Sequence, residues 1–408
     1  MTGTHVYTSI TANYLPKARV LAESVKRLAP QVQFHVILSD NTPVGFDLVA
    51  EPFDNVIFAE QLVTEGFPCW AFGHSVVELC TAVKGAALEH LFEVYQAENV
   101  FYFDPDMVVF SRLDELEQSL SECSLLLTPH LTDPDTTDMG ILDNELSCLL
   151  HGVFNLGFVG VRNVPEGRRF ANWWSSRLKK YCHDDLPRGL FTDQKWVDLA
   201  PCFFDGVKIL RSPAFNVATW NIVNRKATGS LHDGIYVNGE PLGFYHFSGF
   251  DSGDQITMLE RYGGDSPVLY ALRDWYIAEC ERHGQSDLGA LPAKYDFFSN
   301  GERIARGYRV LYRQRVDLQV AFPNPFASSG PQTYKAWYDA HPAEQLASGS
   351  VVIQSGAPLS VVLEDLARQF HQRLVAGSNR GRFKRGVLRV GIAALRLSAK
   401  LAGIAAGR

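Results

Sequence analysis

Two aspartates separated by one residue stand out in this sequence. Asp104 and Asp106 follow the apolar run 100–103 and precede the apolar run 107–110, with Pro105 between them. Carboxylate oxygens are the ligands that hard cations such as Mg²⁺ and Mn²⁺ prefer, and these ions keep positions open for phosphate oxygens. Asp and Pro are also common turn residues, and the D-x-D spacing alone does not separate a metal site from a turn.

The segments around this pair alternate between strand and helix patterns. We predict strands at 5–10, 32–40, 55–62, 99–104 and 123–130, and helices at 15–29 and 75–95. Such alternation predicts an α/β fold, with a mostly parallel sheet covered by helices on both faces. Ligands of such sheets bind outside the carboxyl ends of the strands, and the aspartate pair lies at such an end.

The rest of the chain suggests three regions. A further strand at 153–162, a helix at 170–182 and strands and turns in 215–222 and 235–250 would complete a first domain that ends near residue 275. Residues 276–379 are of mixed composition and predict a small appended helical region, with a helix in 295–313 and a loop followed by a helix in 322–341. Residues 380–408 form the third region.

Composition limits the class of protein. The 408 residues are 46% hydrophobic and 12% aromatic, which is typical of a globular chain, and a net charge of −7 argues against bulk nucleic-acid binding. Seven cysteines without a C-x-x-C pair indicate free thiols in a reducing compartment. The N-terminus has no basic segment followed by an apolar one, so we predict neither a signal peptide nor a membrane span, and a cytoplasmic location.

Residues 380–408 contain no acidic side chain. Wound as a helix, this segment has cationic residues on one side and apolar residues on the other. The cationic residues are Arg382, Arg385, Arg389, Arg396 and Lys400, and the apolar ones are Phe383, Val387, Val390, Leu397, Leu401 and Ile404. This pattern is typical of a helix on an anionic membrane surface, here the inner membrane face. A helix docked on the body of the protein and a disordered basic tail are the alternatives.

Five motifs, in this order, resemble a known family. They are the Thr-rich loop "VYTSITANYLPKA", the D-x-D of "YFDPDMVVF", the Asn-x-Gly of "FNLGFVGV", the Asp-Gln of "FTDQKW" and "YHFSG". Over roughly residues 3–255 the chain resembles metal-dependent nucleotide-sugar glycosyltransferases of the A-type (GT-A) fold, in particular the retaining, glycogenin-like bacterial branch. The resemblance implies a Rossmann-like nucleotide-diphospho-sugar transferase sheet in the first domain.

The resemblance also implies roles for particular residues. Mn²⁺ or Mg²⁺ would be held by Asp104, Asp106 and His246, with Asp104 also near the donor ribose. The nucleotide and sugar would be bound by Thr8, Thr11, Tyr14, Asp40 and Lys84. The reaction centre would be lined by Asn155, Asp193 and Gln194.

Purely structural roles for the same residues stay open as alternatives. His246 could be a core histidine, Tyr14 a surface tyrosine and Lys84 an exposed lysine, while Asp193 could cap the helix that follows it.

One departure from the family pattern bears on the stereochemistry of the reaction. The lysine that usually follows the His-x-x-Gly segment and binds the diphosphate is absent here. Ser248, Gly249, backbone N–H groups and Lys84 are the candidates to replace it.

The expected function is transfer of a sugar from a nucleotide-diphosphate donor, a UDP-sugar, to a glycan or lipid-linked acceptor. The basic segment 380–408 favours an acceptor at the membrane, as in surface polysaccharide or lipopolysaccharide assembly. The alternatives are a carboxylate-metal phosphohydrolase, which normally needs more ligands than the chain offers, and a non-catalytic sugar-nucleotide-binding protein.

Overall fold

A computed structural model describes residues 3–264, 266–342 and 344. The strands in this part of the chain are β1 Thr4–Ile10, β2 Gln33–Leu38, β3 Asn55–Phe58, β4 Asn99–Phe103, β5 Met107–Val109, β6 Leu125–Pro129, β7 Phe154–Arg162, β8 Asp184–Asp185, β9 Leu190–Phe191, β10 Val207–Ile209, β11 Ala227–Ser230, β12 Gly234–Val237, β13 Glu240–Pro241 and β14 Phe244–His246.

The same residues form seventeen α-helices. They are α1 Leu15–Leu28, α2 Ala59–Leu62, α3 Phe67–Phe72, α4 Val76–Ala82, α5 Lys84–Glu93, α6 Leu113–Ser121, α7 Asp138–Gly140, α8 Leu146–His151, α9 Pro165–Tyr181, α10 Gln194–Val197, α11 Ala200–Phe203, α12 Asp254–Tyr262, α13 Pro267–Arg282, α14 Gln285–Leu288, α15 Arg306–Gln314, α16 Val316–Ala321 and α17 Tyr334–Ala340. Short 3₁₀-helices cover Ala12–Tyr14, Leu48–Ala50, Leu186–Arg188, Ile222–Asn224 and Lys294–Asp296, and a π-helix covers Ile141–Glu145.

A seven-stranded sheet forms the centre of the molecule, in the order β10-β6-β7-β4-β1-β2-β3. Strands β4, β1, β2 and β3 are mutually parallel, as are β6 and β10, and β7 runs antiparallel between β4 and β6. The predicted α/β fold with a mostly parallel sheet is therefore confirmed. The carboxyl ends of β1, β2 and β4 lie at one edge of this sheet, because parallel neighbours end together.

Alternate residues of β4 face the two layers of helices. Val100 and Tyr102 belong to one hydrophobic cluster, which includes side chains of α5 and α9. Phe101 and Phe103 belong to another, with side chains of α1 and α6. Burial on both faces explains the continuous apolar run that marks β4 in the sequence, and it places Asp104 immediately beyond the last core residue.

A second, two-stranded sheet brings a distant segment to the aspartate pair. Strand β14 pairs antiparallel with β5, and His246 lies opposite Met107. The turn between β4 and β5 is closed by a hydrogen bond from the Met107 amide to the Asp104 carbonyl (3.0 Å). The pairing of β5 with β14 therefore positions His246 beside the turn that carries both carboxylates.

Several predicted element bounds differ from the structure. The strand predicted at 55–62 ends at Phe58, and α2 begins at once at Ala59. The helix predicted at 75–95 is two helices, because Val83, with φ −80° and ψ −13°, interrupts it between α4 and α5. In 215–222 the only strand-like pairing is an isolated bridge from Val217 to Tyr245.

The helix predicted at 295–313 begins only at Arg306. Before it, Phe297 and Arg303 form an antiparallel bridge around a turn at Gly301, whose φ of +82° is unsuited to a helix. In α1, Ala18, Leu21 and Val25 are buried, whereas Leu28 is exposed.

The appended region packs directly on the first domain. The boundary predicted at residue 275 falls inside α13, whose Tyr276 ring stacks on Phe247 at 3.9 Å between centroids. Farther along, residues of α15, α16 and α17 form a cluster around Phe72 of α3. The described part of 276–379 contains the end of α13 and helices α14 to α17, with longer connections before α15 and α17, whereas the basic segment 380–408 lies outside the described residues.

Two further findings concern the whole described chain. Within residues 3–264, 266–342 and 344, no helix is both long and apolar enough to cross a membrane. All seven cysteines are free thiols, as predicted.

Candidate active site

The three predicted metal ligands lie together in the structure. The Nε2 atom of His246 lies 3.1 Å from Asp106 Oδ1 and 3.9 Å from Asp104 Oδ2. One potential ligand atom from each residue lies within 4.8 Å of the other two. Two carboxylates and an imidazole fit Mn²⁺ or Mg²⁺, and three protein ligands leave positions for phosphate oxygens. The donor set therefore matches the cation that the sequence predicts.

His246 is held by a chain of hydrogen bonds. Its Nδ1 lies 3.3 Å from Asn155 Oδ1, and Asn155 Nδ2 lies 3.2 Å from His130 Nε2. Burial lowers the pKa of His130 to about 4, so its neutral ring accepts from the Asn155 amide. Asn155 Oδ1 then accepts from His246 Nδ1, which leaves Nε2 directed at the carboxylates. Such outer partners fix the tautomer of metal-binding histidines.

Gly157 makes room for this arrangement. A Cβ atom at this position would lie 2.5 Å from Met107 Cε and 2.7 Å from His246 Cε1. Gly157 also accepts the hydrogen bond of the Asp104 amide (2.7 Å) through its carbonyl. The glycine of the Asn-x-Gly motif is thus explained by the close approach of the His246 ring.

Lys84 links the metal-ligand set to the predicted reaction centre. Its Nζ lies 3.2 Å from Asp104 Oδ1 and 2.9 Å from Asp193 Oδ2, and it donates to the Leu156 carbonyl (3.1 Å). The residue is only 2% exposed, so the exposed-lysine interpretation is wrong. Burial alone would lower the pKa of Lys84, but Asp104 and Asp193 outweigh it, and the pKa is raised.

Asp193 lies in the same cleft, opposite Asp104. It occupies the position before α10, but its side chain makes no capping hydrogen bond, so the capping interpretation does not describe this residue. Burial raises the pKa of Asp193, and Lys84 opposes that shift. The carboxylate is therefore a buried acceptor with one cation beside it.

Gln194 lines the cleft, and its side chain forms hydrogen bonds with the backbone of the cleft wall. Its Oε1 accepts from the Leu156 amide (3.2 Å), and its Nε2 donates to the His151 carbonyl (3.0 Å). Both ends of the side-chain amide are thus engaged by the backbone around β7.

Of the predicted nucleotide-binding residues, Lys84 and Asp104 line the main cleft, whereas Thr8, in β1, and Thr11 and Asp40, just beyond β1 and β2, lie outside its lining. Thr8 is fully buried, and its Oγ1 has no hydrogen-bond partner among the described residues. Thr11 donates to Asn13 Oδ1 at 2.6 Å, and Asp40 accepts from the amides of Ala12, Asn41 and Lys294. Burial raises the pKa of Asp40. These residues flank the cleft and do not meet in it.

Tyr14 belongs to a cluster that the sequence did not reveal. Its hydroxyl donates to Asp251 Oδ2 (2.6 Å), and it is half-buried, unlike a surface tyrosine. The fully buried Lys17 pairs with the same carboxylate and lies 4.1 Å from the centre of the Tyr14 ring. The loop that follows His246 is thereby tied to the loop that follows β1.

The cleft around these groups has a volume of about 770 Å³. Besides the residues above, it is lined by His130, Trp220 and residues of the segment 143–148. His130 directly follows β6, so the rule that sites gather at strand ends could have indicated it. Trp220, whose ring lies 5.2 Å from that of His246, follows no regular strand, and no signal in the sequence marks it.

Comparison with curated proteins finds partial similarity. No protein-family model matches the chain. The uncharacterised protein YfnD of Bacillus subtilis (strain 168) is 34% identical over 176 residues, which make up 42% of this chain and 54% of YfnD. The uncharacterised protein YfnF of the same organism is 28% identical over 217 residues, 51% of this chain and 70% of YfnF. The chain thus spans about half the length of YfnD.

Three solved structures of glycosyltransferases are similar at low identity. The galactosyltransferase LgtC, solved with donor and acceptor sugar analogues, is 15% identical with a TM-score of 0.41, over 71% of this chain and 97% of LgtC. GlyE of Streptococcus pneumoniae TIGR4 is 14% identical with a TM-score of 0.37, over 73% of this chain and 67% of GlyE. The bifunctional glycosyltransferase WbbM is 14% identical with a TM-score of 0.37, over 69% of this chain and 52% of WbbM.

Proposed function

We propose that the protein is a metal-dependent GT-A glycosyltransferase that moves a sugar from a UDP-sugar to a glycan or lipid-linked acceptor, with retention of configuration, in surface polysaccharide or lipopolysaccharide assembly. The observation that carries the proposal is the convergence of Asp104 and Asp106, in the β4–β5 turn, with His246 of β14. The five sequence motifs that resemble this enzyme family support it independently.

Asp104, Asp106 and His246 would hold Mn²⁺ or Mg²⁺. Bound there, the cation would supply Lewis-acid stabilisation of the negative charge on a leaving nucleoside diphosphate. The second cluster of potential ligands in the described chain, Glu23, Glu279 and His283, is a poorer candidate. There Arg282 lies 2.5 Å from Glu23 and 2.6 Å from Glu279, so a cation of the protein already occupies the carboxylates.

The groups beyond the metal ligands suit a sugar. Asp193 is a buried acceptor that can take hydrogen bonds from sugar hydroxyls, and Asn155 and Gln194 border the same space. Lys84 keeps a positive charge between Asp104 and Asp193, where it can also meet phosphate oxygens. This places a cation in the cleft although no lysine follows the "HFSG" segment.

The base and ribose would bind at the adjoining strand ends. Tyr14 would stack on the base, with Thr8, Thr11 and Asp40 around it, because β1 and β2 end beside β4 in the sheet. We further propose a cytoplasmic location, which the free cysteines support. Residues 380–408 would then bring the enzyme to an anionic inner membrane face.

A ligand screen by thermal unfolding tests this function. We expect UDP-sugars to raise the melting temperature only when Mn²⁺ is present, because a ligand that binds the native state alone stabilises it by mass action. GDP- and dTDP-sugars serve as matched comparisons. A metal-independent shift, or equal shifts with all three bases, would contradict the proposed donor site.

A further inference from the structure

One segment beside the cleft exposes an unusual amount of apolar surface. Seven of the 22 large apolar side chains exposed in the described chain lie within residues 139–153. They are Met139, Ile141, Leu142, Leu146, Leu149, Leu150 and Val153, which we call the apolar ridge. Leu142 is 63% exposed and Leu149 67%. Contiguous apolar patches of this kind mark interaction sites in soluble proteins.

The ridge has the spacing of a helix-packing surface. Met139, Leu142, Leu146 and Leu149 follow one another at intervals of three and four residues along α7, the π-helix and α8, and Val153 lies beyond α8, after Gly152. Residues between them, Asn144, Ser147, Cys148 and His151, line the cleft. This stretch therefore turns polar side chains towards the protein and apolar ones outwards, the reverse of an ordinary surface helix.

The surroundings of the ridge are acidic. Residues 131–153 contain five acidic side chains and neither lysine nor arginine. Asp133 and Asp138 are exposed, while Asp143 is paired with Arg261. Three cations lie beside the segment: Arg261, Lys195, which donates to the carbonyls of Leu149 and Leu150, and Arg211, which lines a second pocket with Leu149 and Val153. The exposed acidic side chains of the segment are therefore Asp133 and Asp138, and these can pair with cations of another segment.

The chain itself contains such a helix pattern outside the described residues. In 380–408, apolar residues alternate at intervals of four and three, at Phe383, Val387, Val390, Ala394, Leu397, Leu401 and Ile404. This repeat averages 3.5 residues, which is the spacing of a helix packed along another helix. The same 29 residues carry eight cationic side chains and no acidic one.

We propose that residues 383–404 bind the apolar ridge through their apolar repeat, with their cationic side chains beside the exposed Asp133 and Asp138. The 38 residues from 345 to 382 can span more than about 100 Å when extended, so the connection does not limit reach. The ridge borders the cleft through Ser147 and His151, which line it. One apolar face can be buried on only one surface at a time, so an anionic membrane competes with the ridge for this segment.

Photo-crosslinking in the full chain tests the contact. Benzoylphenylalanine replaces Leu142 in one variant and the fully exposed Val44, in the β2–β3 connection, in the control. After irradiation, mass spectrometry of the monomer-sized product should locate crosslinks from position 142 in residues 383–404, and none there from position 44. Reversal of charge at Arg385, Arg389 and Arg396 should remove them. A dimer-sized product, or no crosslink to 383–404, would overturn the proposal.

Hydrogen exchange provides a second readout without a probe. Leu142→Ser with Leu149→Ser removes exposed side chains, so the fold should persist, and Val44→Ser with Val49→Ser is the matched control. We expect amides of 383–404 to exchange about tenfold faster in the ridge variant than in the control. Equal exchange rates in the ridge variant and the control would contradict the proposed contact. Both experiments are repeated with anionic vesicles. Crosslinks and protection that appear only when the vesicles are present would also contradict it.

Discussion

Lys84 connects the predicted metal ligands to the predicted reaction centre. It is buried between Asp104, at the end of β4, and Asp193, before α10. Removing one partner of a buried ion pair leaves uncompensated charge, which costs more than the pair itself contributes. The lysine therefore stabilises the fold as well as supplying charge in the cleft.

Replacing Lys84 tests this dual role. We expect Lys84→Met to lower the free energy of unfolding by about 3–5 kcal/mol, because two carboxylates lose their cation. Adding Asp193→Asn to that variant should recover part of the loss. Urea denaturation measures both effects. If Lys84→Met were as stable as the wild type, the ion pair would not be part of the native site.

At the scale of residues, the sequence indicated which residues form the candidate site better than it indicated their burial and orientation. The D-x-D and the histidine of "YHFSG" could be selected from motifs, and the structure brings them together. The burial of Lys84 could not be predicted, because it depends on Asp193, 109 residues later. The orientation of His246 depends in the same way on Asn155 and His130, which only the folded chain brings within reach.

At the scale of elements, β7 shapes the site through its glycine. We expect Gly157→Ala to weaken Mn²⁺ binding strongly, since its Cβ would displace the His246 ring or the Met107 side chain. Second-sphere changes of this kind typically cost about 10–100-fold in metal affinity. Isothermal titration with Mn²⁺ measures the change.

Gly160→Ala on the same strand is the control. Its Cβ would approach Phe101 at 2.8 Å, in the core and away from the ligands. It should lower stability while the folded fraction keeps its Mn²⁺ affinity. Equal affinities in Gly157→Ala and Gly160→Ala would show that Gly157 has no special relation to His246.

Element types could be predicted where periodicity was strong, and element ends could not. Six of the seven strands of the central sheet were predicted from their apolar patterns, whereas β10, with three residues, was not. The break at Val83 leaves the helical spacing of 75–95 nearly intact, so no interruption was visible. In 295–313 the turn at Gly301 closes a local bridge between Phe297 and Arg303, and the Asn300-Gly301 pair is a turn signal that the helix prediction overlooked.

At the scale of the whole molecule, several buried histidines connect stability to pH. Burial lowers the pKa of His35 to about 3, of His74 to about 4 and of His183 to about 3, against an ordinary value of 6.5. Below pH 6.5 the unfolded chain binds protons at these positions that the folded chain excludes. The free energy of unfolding therefore falls as the pH drops.

Urea denaturation at pH 7.5, 6.5 and 5.5 checks this effect. We expect stability to decrease most between the last two values, by up to about 1.4 kcal/mol per pH unit for each histidine. His183→Asn should reduce the slope, because one proton-excluding group is lost. A free energy of unfolding that stays constant from pH 7.5 to 5.5 would contradict the assignment of neutral, buried rings.

The most direct test of the central claim is donor turnover in Asp106→Asn. Release of nucleoside diphosphate from a UDP-sugar with Mn²⁺ is measured for the wild type, Asp106→Asn and the control His283→Ala, which alters the second acidic cluster. We expect turnover to be lost in Asp106→Asn, with an unchanged circular dichroism spectrum, and kept in His283→Ala. Undiminished, Mn²⁺-dependent turnover in Asp106→Asn would contradict the assignment of Asp104, Asp106 and His246 as the metal site.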